Sequence, residues 1–362
     1  MKIENNKTLF DYIDNLQTIN DLNMSLSEMF LSIIDNDEIV SKEELETLSK
    51  TYNRSLKEVY IDKIIDYLGI DLDEEDNQEI IDKYFINNFY EIDEEEFLNN
   101  PYYKNIKVNN VKLGKLSLVY DSYKSYEIFA LDDISVDEKY VENSKLAYFK
   151  NKFPFIALNQ NDITWMSITP NEIKTMQKHI DNAYGDVHVF GLGLGYYAYM
   201  ISLKENVNHI FIYEKDKNVI ELFNKYLLPQ FPYKDKITII QIDALEAIKK
   251  PLKGDCAFVD LWHTAEDGIE LFLSFKKKEQ NYPNIKFSYW LDNSFYAFMR
   301  RCFISLLYEQ KEGFKESEYK NSKNFFDKMI NLLFYKTKNL HISSKEQIRD
   351  LLSDDNLIKL LK

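Results

Sequence analysis

Residues 186–195, DVHVFGLGLG, run an apolar strand directly into three glycines at alternating positions. Only nine glycines occur in 362 residues, yet Gly191, Gly193 and Gly195 stand within five consecutive positions, so the spacing calls for a backbone reason. A residue without a Cβ takes positive φ readily and lets the main chain come close to a ligand. The residues that follow, 196–204, read as a helix whose N-terminus faces that ligand. Strand, glycine turn and helix predict the opening βα unit of a nucleotide-binding sheet.

The alternation continues downstream. Apolar strands are expected at 209–213, 237–242, 256–261 and 286–291, with helices at 217–227, 245–250, 267–278 and 295–309 between and after them. This predicts an α/β fold, a Rossmann-like and mostly parallel sheet with helices on both faces. Upstream, Thr169, Pro170 and Glu172 have the N-cap, N1 and N3 spacing of a helix start. Between 106 and 168 the apolar period is two, as in Val111, Leu113, Leu116, Leu118 and Tyr120, which predicts a small antiparallel β unit. From Leu9 to about Asn100 apolar residues recur at three and four, as in Val59, Ile61, Ile64, Ile65 and Leu68, and helices are expected, one of them opened by Ser41 and Glu44. A polar, linker-like stretch at 311–323 precedes two closing helices, one at 325–335 and one opened by Ser343 and Glu346. Four regions follow: 1–105 helical and acidic, 106–168 β-rich, 169–310 Rossmann-like, and 311–362 a helical extension.

The net charge is −15, but residues 1–100 carry 8 Lys and Arg against 26 Asp and Glu, a balance of −18 that leaves the remainder at +3. Phosphate contacts need cations, so the acidic region argues against nucleic acid as its direct partner. These N-terminal helices are natural candidates for contact between copies of the chain or for substrate selection. Cys256 and Cys302 fit neither a disulfide framework nor a zinc pattern, and Cys256 opens an apolar strand as a buried thiol. No apolar signal core opens the chain and no uncharged apolar run approaches the roughly 20 residues of a membrane span, so the expected location is cytoplasmic.

Functional groups of such a sheet lie at the carboxyl ends of its strands. The second strand ends at Glu214, where a carboxylate can accept both hydroxyls of a ribose. The third ends at Asp243 and Ala244, an acid for an adenine amino group beside a small residue that lets the ring lie flat. The fourth ends at Asp260, Trp262 and His263. In this order the residues resemble the class I S-adenosylmethionine-dependent methyltransferases, over about 169–310. The resemblance implies that Gly191, Gly193 and Gly195 hold the methionine end of S-adenosylmethionine, Glu214 the ribose, and Asp243 with Ala244 the adenine. Two departures stand out: Val189 replaces the acid usual two residues before the first glycine, and the sixth and seventh strands of that family have no counterpart after Gln310.

The architecture is also similar to spermidine-synthase-like aminopropyltransferases, which place a small β domain before this sheet. The segment LNQNDITWMSITPNEI at 158–173 looks like their hairpin and helix, while Leu194 stands where their loop carries an Asp. A dinucleotide reading uses Gly193, Gly195 and Ala198 as G-x-G-x-x-A. A non-catalytic, regulatory cofactor-binding protein is the reading from another class.

For acceptor chemistry no N/D-P-P-Y/F motif follows the fourth strand, and the expected acceptor is a small molecule. His263, of the residue type that titrates nearest neutrality, is the candidate base, next to Asp260. Trp165, Trp262 and Trp290 are candidates for the acceptor pocket wall. Metal-dependent catechol-type O-methyltransferases suggest an alternative in which Asp260, Asp292 and Asn293 hold Mg²⁺ through oxygen ligands.

Overall fold

The computed structural model describes residues 1–36, 38–320 and 322–361, with the backbone alone at Glu75, Asp76 and Glu318. Five strands rich in β-branched and aromatic residues, β1 (Gly185–Phe190), β2 (Val207–Glu214), β3 (Ile237–Gln241), β4 (Cys256–Val259) and β5 (Lys286–Tyr289), pair in the order β3-β2-β1-β4-β5. Every pairing is parallel. Such strands are buried on both faces by their crossover helices, and Val187, Val189, Phe190, Ile210, Ile212, Phe258 and Val259 all lie in the core. The fold is Rossmann-like. Strand order reverses between β1 and β4, and their carboxyl ends open the crevice in which such sheets bind ligands.

Helices Tyr196–Ser202, Lys217–Leu222, Ala244–Ala247, Ala265–Lys278 and Asp292–Glu312 follow the five strands in turn. The second continues as a wider π-helical turn, Phe223–Leu227, where a plain helix is expected from the sequence. The fourth opens with a complete capping box between Thr264 and Asp267.

The strands upstream divide among three sheets rather than one, the smallest being the antiparallel pair Ser135–Val136 and Glu142–Asn143. Val111–Leu113, Leu116–Tyr123, Phe153–Gln160 and Ile163–Ser167 form an antiparallel sheet. Leu146–Phe149 instead pairs antiparallel with Ile128–Ala130 and parallel with Phe89–Ile92. Phe89–Ile92 lies in a stretch read from its period as helical. Four residues are too few for a period to distinguish the two states, and the distant partner strand decides.

Helix Lys7–Ile34 spans two cores. Leu9, Ile13 and Leu16 join the main core, whereas Leu26, Phe30 and Ile33 pack in a second one with Val59, Ile61, Ile64, Ile65, Phe89 and Tyr148. A polar seam fastens this helix across the fold. Arg301 Nε donates to Glu142 Oε1 at 2.7 Å, its Nη2 donates to the other Glu142 oxygen and to Ser27 Oγ at 2.8 Å, and Asn20 Nδ2 donates to Ser305 Oγ at 3.0 Å. Two adjacent arginines on a helix read as a solvated face, and the structure corrects this. Arg300 is buried, pairs with Asp354 and donates from Nε to the Leu352 carbonyl at 3.2 Å, because helices pack over both sides of Asp292–Glu312.

Towards the C-terminus, a short helix, Glu316–Tyr319, interrupts the stretch read as a linker. The last capping box is formed by Ser344 and Gln347, one residue beyond the expected pair. His341–Ile342 pairs in parallel with Lys2–Ile3. Both cysteines are free and buried. Among the described residues no helix is long and apolar enough to cross a membrane.

Removing one partner of a buried ion pair leaves an uncompensated charge. With Glu142 only 8 % exposed, Arg301→Ala should cost about 3–5 kcal/mol in urea unfolding, whereas a double change of Arg301 to Met and Glu142 to Leu should cost far less.

Candidate functional site

The glycine loop takes positive φ at all three glycines, +102° at Gly191, +53° at Gly193 and +75° at Gly195. Their surroundings differ. A Cβ on Gly191 would sit 2.0 Å from the Asp260 carbonyl oxygen, and one on Gly195 would sit 2.3 Å from the Phe223 ring. On Gly193 it would meet only Met166 Sδ, at 3.9 Å. The outer glycines knit the loop to β4 and to the π-helical turn, and the middle one borders open space. Gly191 N–H donates to Tyr213 O at 3.0 Å and Gly195 N–H to Leu192 O at 2.9 Å, while Leu192 N–H donates to Glu214 Oε2 at 3.3 Å. Among the described residues the N–H groups of Gly193 and Leu194 meet no acceptor, and unpaired backbone donors in a cleft await a ligand or water.

That open space is a cavity of about 570 Å³, within the roughly 300–1,000 Å³ of small-molecule sites. Gly191, Gly193, Gly195, Glu214, Asp243 and Ala244 all border it, as do Asp260, His263, Trp165, Trp262 and Trp290. Asp292 and Asn293 do not. Glu214 accepts from the N–H groups of Leu192 and Asp216, the latter at 2.8 Å on Oε1, and each oxygen keeps a lone pair for a ribose hydroxyl. Asp243 caps Ala244–Ala247 through Oδ1, which accepts from Leu245 N–H at 2.8 Å, and among the described residues Oδ2 has no hydrogen-bond partner.

Asp260 follows β4, with its N–H fixed to Phe190 O at 2.9 Å. Burial pushes its carboxyl up to about 7. Glu172 shares the cavity wall. Desolvation, and then the charge of Asp260, raise Glu172 well above the usual carboxylate range, against hydrogen bonds from the Ser167 N–H and hydroxyl. Two acids so placed cannot readily both ionise. The sequence assigns Glu172 to a helix cap, but the Thr169 side chain makes no capping bond in helix Pro170–Asn182 and Glu172 turns to Ser167 instead. Reading only strand ends passes over this residue, since it stands on the helix before β1. The available signal was its position directly after the hairpin that carries Trp165.

His263 is engaged on both ring nitrogens. Nε2 lies 3.1 Å from the Trp165 carbonyl oxygen and Nδ1 3.3 Å from Asp267 Oδ2. Both partners are acceptors, so the ring donates through whichever nitrogen carries hydrogen, and both nitrogens are turned to protein atoms. Burial alone would raise the Asp267 carboxyl; bonds from the Thr264 and His263 N–H groups, the His263 ring and the Thr264 hydroxyl outweigh it and hold it low. His263 therefore links the hairpin to the loop after β4. Trp262 and Trp290 are largely buried, with Trp262 Nε1 donating to Trp290 O at 3.0 Å and Trp290 Nε1 to Thr175 Oγ1 at 2.8 Å. Trp165 is the more open of the three.

Of the oxygen set suggested for Mg²⁺, Asp260 borders the cavity and Asp292 and Asn293 do not. Asp292 pairs with Lys178 at 2.8 Å and Asn293 N–H donates to Asp133 Oδ2 at 3.2 Å. Among the described residues no group of three or more His, Cys, Asp and Glu side chains is arranged to hold a metal.

The raised Asp260 carboxyl has a consequence for stability. Between about pH 4 and about pH 7 the folded chain holds a proton that the unfolded chain has released, so this contribution is full below about pH 4 and is lost as pH rises through about 7. Asp260→Asn should thus stabilise the ligand-free protein by about 2 kcal/mol at pH 8 and by almost nothing at pH 4, as measured by urea unfolding across that range.

No protein-family model matches this sequence, and no curated protein does. Among solved structures, spermidine synthase from Thermotoga maritima is similar at 20% identity with a TM-score of 0.30, and spermidine synthase in complex with the transition state analogue AdoDATO at 20% identity with a TM-score of 0.31. Each comparison covers 42% of this chain and 60% of the other, so the chain spans about 60% of the length of these structures. At these values the likeness extends to the fold alone.

Proposed function

We propose that the cavity binds an adenosyl sulfonium and that the protein transfers the methyl group of S-adenosylmethionine to a small amine. The observation that carries this reading is the convergence of the glycine loop, Glu214, Asp243 and Asp260 on one cavity. The cavity's charge narrows the ligand. Glu172, Glu214, Asp216, Asp243 and Asp260 border it, with Lys215 as the one Lys or Arg among the described lining residues. Cationic groups suit such a wall, and a dinucleotide's pyrophosphate does not.

The bound donor supplies an electrophilic methyl carbon on a positively charged sulfur. Glu214 holds the ribose, Asp243 and Ala244 receive the adenine, and the N–H groups of Gly193 and Leu194 meet the amino-acid end. Bound there, S-adenosylmethionine would pass its methyl to the acceptor nitrogen and leave as the thioether, and Asp260 would take the proton that the nitrogen gives up. A carboxyl near neutrality can both accept that proton and release it to water. Glu172, raised well above the usual carboxylate range by burial and by Asp260, faces the same cavity. Trp165 and the latched hairpin exclude water, which strengthens each of these contacts.

A second reading is aminopropyl transfer from the decarboxylated donor, favoured by the same acidic wall, since that donor carries one more net positive charge than S-adenosylmethionine. Titration calorimetry with S-adenosylmethionine, S-adenosylhomocysteine, the decarboxylated donor and NAD separates these readings, and binding of NAD alone would sink both. Binding of the methyl donor without turnover on a broad amine panel would instead favour a regulatory role. Glu214→Gln should weaken S-adenosylhomocysteine binding about tenfold, the loss of a charge-assisted hydrogen bond. Asp260→Asn should leave that affinity within about threefold but lower amine turnover roughly 100-fold. The wild-type rate should rise with pH through about 7.

A further inference from the structure

The loop that the donor would meet is held from outside the sheet. Residues 94–107 lie across it, as helices Glu94–Leu98 and Pro101–Asn105 and the turn after them. The Tyr102 hydroxyl donates to the Leu194 carbonyl at 2.7 Å, and Asn100 Nδ2 donates to the hydroxyl of Tyr196, another residue of the cavity wall, at 3.0 Å. The Tyr103 hydroxyl bonds the carbonyl of Ile168, where the hairpin leaves the cavity. Asn105 Nδ2 donates to the Tyr199 hydroxyl at 2.7 Å, one helical turn beyond the loop. Tyr102 is fully buried, with its ring edge-on to Tyr196 at 5.5 Å and to Tyr199 at 5.3 Å.

We infer that residues 94–107 are a strap that shapes the donor loop, and that Tyr102 is its positioning residue. The peptide between Leu194 and Gly195 is held at both ends, its carbonyl by Tyr102 and its N–H by Leu192 O. The next peptides back carry the two loop N–H groups that have no protein acceptor. With the plane after them pinned, and Leu192 N–H tied to Glu214, those two donors have little freedom except to stay turned out of the protein's own bonding. Tyr102 touches no ligand. It acts through the Leu194 carbonyl, whose buried oxygen would otherwise lack a partner and would draw the loop towards another arrangement. This rests on the donor-site reading for its purpose, though the strap itself is a property of the ligand-free fold.

The test compares Tyr102→Phe, which removes one oxygen and keeps the ring packing, with Asn105→Ala, which cuts a strap bond away from the loop. S-adenosylhomocysteine affinity is read by calorimetry, and exchange of the amides in 190–199 is read in ligand-free protein. Tyr102→Phe should weaken affinity by five- to thirtyfold and speed loop exchange at least tenfold. Asn105→Ala should change both less than twofold, with a comparable drop in unfolding midpoint. Equal effects of the two variants, or a Tyr102→Phe protein within twofold of wild type in both readouts, overturns the inference. If wild type binds no adenosyl ligand, the donor-site reading fails by itself and exchange alone decides: faster loop exchange in Tyr102→Phe supports the strap, and unchanged exchange overturns it.

Discussion

The contact on which the site depends is between the Gly191 Cα and the carbonyl of Asp260, where a Cβ would come within 2.0 Å. It exists because β1 and β4 are parallel neighbours, with Phe190 opposite Val259 and Asp260 N–H closing the ladder onto Phe190 O. Two segments far apart in the chain thereby leave the sheet side by side. The glycine loop turns one way and the acid-bearing loop the other, and the crevice between them is the cavity. A side chain at 191 would spread the two strand ends, and the donor loop and Asp260 would no longer share one space.

The chain treats buried charge in two ways. Where Arg301 meets Glu142 and Arg300 meets Asp354, each guanidinium has a carboxylate at hand, and the groups serve to fasten one helix to another. In the cavity, Asp260 and Glu172 are half-buried in one wall, and both are pushed towards the neutral form. A fold that pairs its other buried arginines but leaves two acids facing each other in a cleft tolerates a local instability there, and such perturbed groups gather at functional sites. Trp165 and Ser167 of the hairpin and Glu172 of helix Pro170–Asn182 line the same cavity as Asp260, so the small β region contributes to the cavity's shape.

Much of this was legible from local pattern. Glycines at alternating positions after an apolar strand have few explanations, and the regular exchange of strand and helix behind them fixes a parallel sheet, whose strand ends then locate Glu214, Asp243 and Asp260. What escaped depends on partners distant in sequence. Phe89–Ile92 is a strand only because Leu146–Phe149 lies beside it. Arg300 is buried and Arg301 half-buried because packing surrounds them, which two consecutive charges on a helix cannot reveal. Glu172 fits a capping spacing so well that its turn towards Ser167 is invisible until the hairpin is seen. His263 stands where a base is expected, yet a carbonyl and a carboxylate from neighbouring segments engage its ring.

The N-terminal region, read from charge alone, looks like a separate acidic unit. Its packing argues otherwise. Helix Lys7–Ile34 contributes to both cores, and strand Phe89–Ile92 anchors the second core immediately before the strap begins. From that anchor the chain passes over the donor loop and enters the antiparallel sheet whose hairpin closes the other side of the cavity. The cavity's lining therefore comes from the hairpin, the helix after it and the Rossmann-like sheet, and the strap backs that lining from outside. Displacing the second core would move the anchor of the strap, and through Tyr102 and Leu194 the strain would reach the loop before it reached the sheet. The acidic helices matter to this site through where they hold the start of the strap, not through any charge they bring to the cavity.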